Sequence, residues 1–280
     1  MPNLETLIPD IYKLFEEGTE VSKDHVTEFA ETLATIVHDR LNENQGLGYL
    51  RPSNLGTPCD RKLWYSVNHP EKAEPLSSKV KFKFLYGDII EALVLFLAKE
   101  AGHEVTGEQD KVSIGNVTGS RDAIIDGVLV DVKSANSRSF DKFRRNSIKS
   151  DDPFGYITQL MFYLHASPDV PRKDMAAFLA VDKELGDLAL AKQPREEIDF
   201  EDLIRDKQQL LEGELPPRGF DDEPDGKSGN RKLGVACRYC AFKQECWPEL
   251  RTFLYSNGPR WLTKVTRVPD VDEITGSRIV

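Results

Sequence analysis

The sequence predicts an α/β fold on three observations. Apolar residues recur at helical spacing through residues 1–45. A β-branched run folded about Asp126-Gly127 occupies the middle of the chain. From about residue 87 to 212, strand-like and helical patterns alternate, as they do where strands interleave with helices.

In order, Leu4, Leu7, Ile8, Ile11, Leu14 and Phe15 predict one amphipathic helix, and Val26, Phe29, Leu33, Ile36, Val37 and Leu41 a second. Gly46, Gly48, Pro52 and Gly56 mark a turn-rich link. A helix follows over about 87–101, with extended segments at 104–114 and 117–133 and a further helix at 154–166. MAAFLAVDKELGDLALAKQ reads as a hairpin, and about 199–212 as a helix. The polar run PPRGFDDEPDGKSGN then leads into a cysteine-rich stretch. There is no internal repeat.

At 280 residues the chain can bury one large core or two smaller ones. Its 39% hydrophobic and 30% charged residues describe an ordinary soluble protein, and no apolar run approaches membrane-spanning length. The start, MPNLETLIPDIYKLFEEG, is acidic and lacks the basic region of a signal peptide. These features predict a reducing cytosol, where clustered cysteines read as metal ligands before disulfides. A net charge of −10 counts against an affinity that rests on a broad basic surface. Local charge can still bind nucleic acid. Between Lys133 and Lys149 the chain carries Arg138, Lys142, Arg144 and Arg145 against Asp141 alone. That stretch reads equally as a solvated loop or as one that contacts phosphates.

The segment GSRDAIIDGVLVDVKS carries the first chemistry. Asp-Gly suits a two-residue hairpin turn. With that turn, Ile125 pairs with Val128, Ile124 with Leu129, Ala123 with Val130 and Asp122 with Asp131. The two aspartates then stand opposite, Cβ atoms about 4.5–5.5 Å apart, and Lys133 shares the face of Asp131. Facing like charges destabilise an apolar hairpin, and a divalent cation reverses the sign of that interaction. Hard cations such as Mg²⁺ and Mn²⁺ take carboxylate oxygens and keep several waters. Glu91 supplies a third carboxylate. On a helix it lies beside Gly87, Val94, Leu95 and Ala98, an apolar face where an unpaired glutamate is costly. Asp88 is the neighbouring alternative, better suited to a helix-end role.

The four cysteines carry the second chemistry. Cys59 stands alone, and Cys237, Cys240 and Cys246 follow in CRYCAFKQEC. A four-thiolate metal site fits that count. Zinc sites of this kind usually join two C-x2-C pairs, and this chain has one, which favours iron–sulfur over zinc.

On these residues the chain resembles the PD-(D/E)XK nuclease superfamily, whose core motif is matched by Asp122 and then Asp131-x-Lys133. Gln159 and Tyr163 in YITQLMFYLHA resemble the QxxxY motif that follows the core in RecB-type nucleases, and share one helical face. Cys59 in CDRKLWY, with Arg61 and Tyr65, plus the remote C-x2-C-x5-C, resembles the iron–sulfur branch. That branch includes the CRISPR-associated exonucleases of spacer acquisition and the AddB nuclease domain. The resemblance covers roughly residues 53–250. Its RecB-like relatives usually carry histidine where Gly87-x-x-x-Glu91 places a carboxylate, and other branches of the superfamily use glutamate at this point. His103 lies off the motif and reads as structural.

The resemblance implies a restriction-endonuclease-like mixed sheet flanked by helices, with a [4Fe–4S] cluster on Cys59, Cys237, Cys240 and Cys246 clipping both ends of the core together. It implies Mg²⁺ or Mn²⁺ held by Glu91, Asp122 and Asp131, with Lys133, Gln159 and Tyr163 completing the catalytic set. Arg138, Lys142, Arg144, Arg145 and Lys149 become candidate DNA contacts. The expected boundaries are a helical segment at 1–45, the nuclease core at 46–255 and a tail at 256–280. The expected function is a metal-dependent DNA exonuclease acting on single strands or DNA ends, in the cytoplasm of a bacterial, archaeal or phage-infected cell. Expected partners are DNA and a helicase, recombinase or integrase-type protein, with no membrane. Two other readings stand beside it: a non-catalytic DNA-binding module of the same fold, and a structure-specific endonuclease of repair or recombination. The complete acidic set argues against the module.

Overall fold

The computed structural model describes residues 2–18, 20–42 and 48–274. In chain order its helices are α1 (Leu7–Glu17), α2 (Lys23–Asn42), α3 (Pro52–Leu55), α4 (Asp60–Asn68), α5 (Ser78–Glu100), α6 (Ser137–Arg144), α7 (Tyr156–Ala166), α8 (Phe200–Glu212), α9 (Val235–Arg238) and α10 (Lys243–Cys246). Its strands are β1 (Val105–Thr106), β2 (Lys111–Ile114), β3 (Val117–Ser120), β4 (Ala123–Ile125), β5 (Val128–Ala135), β6 (Met175–Asp182), β7 (Leu188–Pro194), β8 (Glu223–Pro224), β9 (Arg231–Lys232), β10 (Arg251–Tyr255), β11 (Gly258–Lys264) and β12 (Glu273–Ile274). The chain divides into two units. One comprises Met1–Gln45, Leu50–Gly56 and Val80–Arg205, the other Gly46–Tyr49, Thr57–Lys79 and Asp206–Val280.

The first unit is built on a five-stranded sheet ordered β1-β4-β5-β6-β7. Asp126 and Gly127 both take positive φ, 49° and 77°, the signature of a type I′ turn. The turn sets the register as its chemistry predicts: Ile125 opposite Val128, Ile124 opposite Leu129, Ala123 opposite Val130. β5 and β6 run parallel, which requires a crossover; α6 and α7 supply it. β6 and β7 close an antiparallel hairpin. The sheet is therefore mixed and flanked by helices, the arrangement of a restriction-endonuclease-like fold.

Both faces of this sheet are covered, because alternate residues of each strand point opposite ways. On one face Ile124, Leu129 and Phe178 pack with Phe140, Phe143, Leu160 and Met161 of α6 and α7. On the other, Ile125, Val128, Val130 and Leu179 pack with Leu7 and Ile11 of α1 and Val94, Leu95 and Ala98 of α5. β5 is consequently buried along most of its length. Among the described residues no helix is long and apolar enough to cross a membrane.

Two expectations change here. The second N-terminal helix forms, but its apolar stripe is not buried: α2 has no buried residue, and Val26, Val37 and Leu41 are exposed. It runs antiparallel along α5 through polar contacts instead. His25 meets Glu100 at 2.5 Å, Lys99 meets Glu28 at 2.8 Å, and Arg40 Nη2 donates to Asp88 Oδ1 at 3.0 Å. Phe29 adds one stacked ring on Phe96, 4.8 Å between centroids. The predicted 133–149 loop is the second change. Much of it is helix α6, capped by Asn136, whose side chain accepts from Ser139 N at 2.9 Å, and anchored by buried Phe140 and Phe143.

The second unit carries α4, α9, α10 and a five-stranded antiparallel sheet ordered β12-β10-β11-β9-β8. β11 and β12 fall within 256–280, so that segment adds strands to a sheet rather than trailing as a tail. Residues 275–280 of it lie outside the described residues.

Candidate functional site

The candidate site of the first unit is built from β5 outward. Asp131 and Lys133 are two apart and share the face covered by α7. Asp131 is buried, and Lys133 Nζ lies 2.5 Å from its Oδ2. β4 begins at Ala123, so the residue before it, Asp122, lies off the ladder. Its side chain then takes the place of a ladder acceptor: Val132 N donates to Asp122 Oδ2 at 2.7 Å.

Buried Arg121 anchors the chain just before Asp122. It donates to Gly107 O at 3.2 Å, to Asp110 at 2.8 Å and to both oxygens of Asp169 at 2.6–2.8 Å. Glu91 arrives on α5 from the opposite side. That helix passes β5 at Gly87, where a Cβ would come within 3.3 Å of Ser134 Oγ. One turn further on, Glu91 Oε1 accepts from Gln109 Nε2 at 2.6 Å. Asp88, the alternative, is engaged by Arg40.

The electrostatics show that these groups converge. Burial and then Asp131 push Glu91 up to about 7. Burial, Asp131 and Glu91 raise Asp122 well above the usual carboxylate range. For Lys133 burial opposes the charge, but Asp131 and Asp122 outweigh it and hold the ammonium protonated. Burial raises Tyr163, opposed by its hydrogen bond with Gln159; Asp131, Asp122 and Lys133 all lie within electrostatic reach of its hydroxyl. Glu91, Asp122, Asp131, Lys133, Gln159 and Tyr163 are thus one cluster. Glu91, Asp122 and Gln109 line a cavity of about 930 Å³ in this unit.

The donor chemistry fits a hard divalent cation. Three carboxylates crowd one ammonium, and two of them are pushed up by their own kind. Among the described residues no group of three or more His, Cys, Asp or Glu side chains is placed to hold a metal ion. A Mg²⁺ site does not need one, because that ion keeps several waters and takes one or two carboxylates.

The basic residues do not join the cluster as free charges. Lys142 meets Asp151 at 2.5 Å, Arg144 and Arg145 meet Asp141 at 2.5 and 3.7 Å, and Lys149 meets Glu196 at 2.8 Å. Arg138 is exposed on α6. Two of the neutralising acids, Asp151 and Glu196, lie beyond the stretch whose charge was counted.

All four cysteines fall in the second unit, unpaired by any disulfide and partly buried. Cys59 immediately precedes α4; Cys237 and Cys246 lie in α9 and α10, with Cys240 between. Burial, then Cys240, Cys246 and Cys59, push the Cys237 thiol up to about 11. The four thiols therefore sit within electrostatic reach of one another. Tyr65 stacks on Phe242 at 5.5 Å, and Glu74 N donates to Ala241 O at 2.8 Å, tying the Cys59 segment to the trio. Arg218 donates to Cys246 O at 2.7 and 3.0 Å, and a Cβ on Gly219 would come within 3.0 Å of Cys59 Sγ. Among the described residues no three of these thiols are placed to hold a metal ion; by donor type, four cysteines in one unit suit a four-thiolate group.

No family model matches the chain, and no curated protein matches it in sequence. Solved structures give a distant likeness. SSO0001 is 17% identical with a TM-score of 0.45, covering 80% of this chain and 97% of its own. The alkaline exonuclease LHK-Exo of Laribacter hongkongensis is 15% identical with a TM-score of 0.41, covering 59% and 87%. Its complex with dAMP is 16% identical with a TM-score of 0.36, covering 59% and 85%. At that distance the likeness carries no argument about activity, and the site is read from its own geometry.

Sequence reasoning missed Arg121, Gln109 and Tyr156. Arg121 adjoins Asp122 in sequence, and its neighbourhood was its only signal. Tyr156 opens α7, its ring centre 5.1 Å from Lys133 Nζ. Gln109 sits in a loop that no motif marks.

Proposed function

We propose that this protein is a divalent-metal-dependent deoxyribonuclease, an exonuclease acting on single-stranded DNA or DNA ends, with a [4Fe–4S] cluster on its four cysteines. The observation that carries this reading is the cluster of Glu91, Asp122 and Asp131 around the ammonium of Lys133, with the Gln159–Tyr163 pair beside it. Such a set is expensive to maintain in a module that does no chemistry.

Glu91, Asp122 and Asp131 would hold Mg²⁺ or Mn²⁺. Bound there, the ion supplies charge stabilisation at the scissile phosphate and a more acidic water. Lys133 is held charged beside Asp131 and donates hydrogen bonds to the phosphate or to the attacking water. Asp131 fixes that ammonium in place. Tyr163 and Gln159 orient the strand from the α7 side. The four thiolates would hold the cluster, which cross-links the Cys59 segment to the trio. DNA is the partner, with a helicase, recombinase or integrase-type protein beside it, and the setting is a reducing cytoplasm.

The test is a digest of labelled linear against circular single-stranded DNA in Mn²⁺. Loss of the linear strand with the circle intact supports an exonuclease. Equal loss of both makes the protein an endonuclease, and no loss of either removes the nuclease reading.

A further inference from the structure

The loop Gly107–Asp110 brackets the two carboxylates that reach the site from different elements. Glu91 comes on α5, Asp122 from the start of β4, and no hydrogen bond joins them directly among the described residues. The loop touches the carboxylate of Glu91 and the backbone carbonyl of Asp122. Gln109 Nε2 donates to Glu91 Oε1 at 2.6 Å, and Gln109 N donates to Asp122 O at 3.2 Å. One residue carries both contacts.

Gln109 is also held in an unfavourable backbone conformation. Its φ is +54°, and it is one of three non-glycine residues at positive φ among those described. Asp126, another of them, sits in the type I′ turn that demands this. Gln109 is the third residue of the turn Gly107–Asp110, closed by Asp110 N donating to Gly107 O at 3.4 Å, a position where positive φ is ordinarily taken by Gly or Asn, and glutamine lacks the short side chain that eases Asn or Asp into this region. A strained residue persists only where its surroundings over-determine it, and here they do. Arg121 Nε donates to Gly107 O at 3.2 Å, Arg121 Nη2 to Asp110 Oδ2 at 2.8 Å and Arg121 N to Asp110 O at 3.1 Å. Glu108 meets Lys99 of α5 at 2.6 Å. The loop is bolted to the strand segment on one side and to the helix on the other, and Gln109 spends that rigidity on Glu91.

We infer that Gln109 is a positioning residue that sets the placement of Glu91 relative to Asp122, and through it the affinity of the site for a divalent cation. The inference rests on the proposed metal site. The amide donates to Oε1 of Glu91, which restrains the carboxylate's rotation and leaves Oε2 outside that hydrogen bond. Partners of metal ligands in this position typically govern affinity by about 10–100-fold.

Two variants separate positioning from scaffolding. Gln109→Ala removes the amide and keeps the strain. Gln109→Gly removes the amide and relieves it, since glycine adopts positive φ freely. Calorimetric Mn²⁺ titration should show affinity down by about tenfold in both variants. The metal-free thermal midpoint of Gln109→Gly should equal or exceed that of the unaltered protein. In the nuclease assay the Mn²⁺ concentration for half-maximal rate should rise in parallel, with the rate at saturating Mn²⁺ recovering to within about threefold. Three results overturn the inference: wild-type Mn²⁺ affinity in Gln109→Gly, a lowered midpoint in that variant, or a rate that stays depressed at saturating metal. The titration needs no catalysis. A protein that binds Mn²⁺ but cuts no DNA would remove the nuclease reading, while the two variants would still decide the role of Gln109.

Discussion

Replacing Asp122 by asparagine should abolish cleavage and yet stabilise the metal-free protein. Asp122 and Asp131 stand one step beyond the last ladder pair, Ala123 with Val130. Asp122 has left the ladder, but Asp131 still raises it, and a separation of about 5 Å, that of a facing pair, sets the scale. At an effective dielectric of about 20, two unit charges at that separation repel by about 3 kcal/mol. Lys133, 2.5 Å from Asp131, offsets the larger part. Asp122 also keeps an opening to the cavity, where water screens it. A net relief of about 1 kcal/mol remains. Asparagine keeps an oxygen for Val132 N, so that hydrogen bond survives. For a chain of this size the relief corresponds to a midpoint about 2–4 °C higher. In Mn²⁺ at 100 times its dissociation constant, the unaltered protein gains about 2.7 kcal/mol by mass action. The variant gains little, so the order of stability reverses. Calorimetric melting in chelator and then in Mn²⁺ reads both effects. A metal-free Asp122→Asn protein less stable than the parent, or no reversal with metal, refutes the electrostatic account.

Two further outcomes follow from the same structure. If the proposed cluster is bound, Cys240→Ala should lose iron and lower the thermal midpoint, because a cluster on the four thiols would tie the Cys59 segment to the trio and its binding energy would be folding energy; unchanged iron content and midpoint would contradict the cluster. Arg144→Ala with Arg145→Ala should weaken DNA binding at all sequences and flatten its salt dependence. Both residues already share Asp141, so the slope should fall by less than two full phosphate contacts, and an unchanged slope returns α6 to solvated surface.

What could be read from the sequence was governed by local chemistry. The Asp126-Gly127 turn dictates its own backbone, and from it the register follows as far as Ala123 with Val130; the expected pairing of Asp122 with Asp131 does not form, because Asp122 leaves the ladder and accepts from Val132 N instead. The preference for Glu91 over Asp88 followed from the apolar face around it, and the structure gives Asp88 to Arg40. Other features depend on partners far away in sequence. The charges of residues 133–149 read as free because Asp151 and Glu196, which pair with Lys142 and Lys149, lie outside that stretch. The α2 stripe reads as a core face, but α5 offers α2 mainly charged partners, with Phe29 stacked on Phe96 and Arg40 over Phe84. The helix at 87–101 begins earlier, at Ser78, because the run through Val80, Phe82 and Phe84 has alternating as well as helical character. Gln109 gave no signal, since its importance lies in a backbone angle and a contact with Glu91 that only the fold creates.

The central claim is that the carboxylates hold a metal and Lys133 acts beside it. Mn²⁺ titration and a nuclease assay on Asp131→Ala and Lys133→Ala test it most directly. Asp131→Ala should lose both metal affinity and cleavage. Lys133→Ala should lose cleavage while binding Mn²⁺ as well as or better than the parent, because an ammonium cannot ligate and its charge opposes the ion. Robust cleavage by either variant would contradict the account and move the chemistry out of this hairpin.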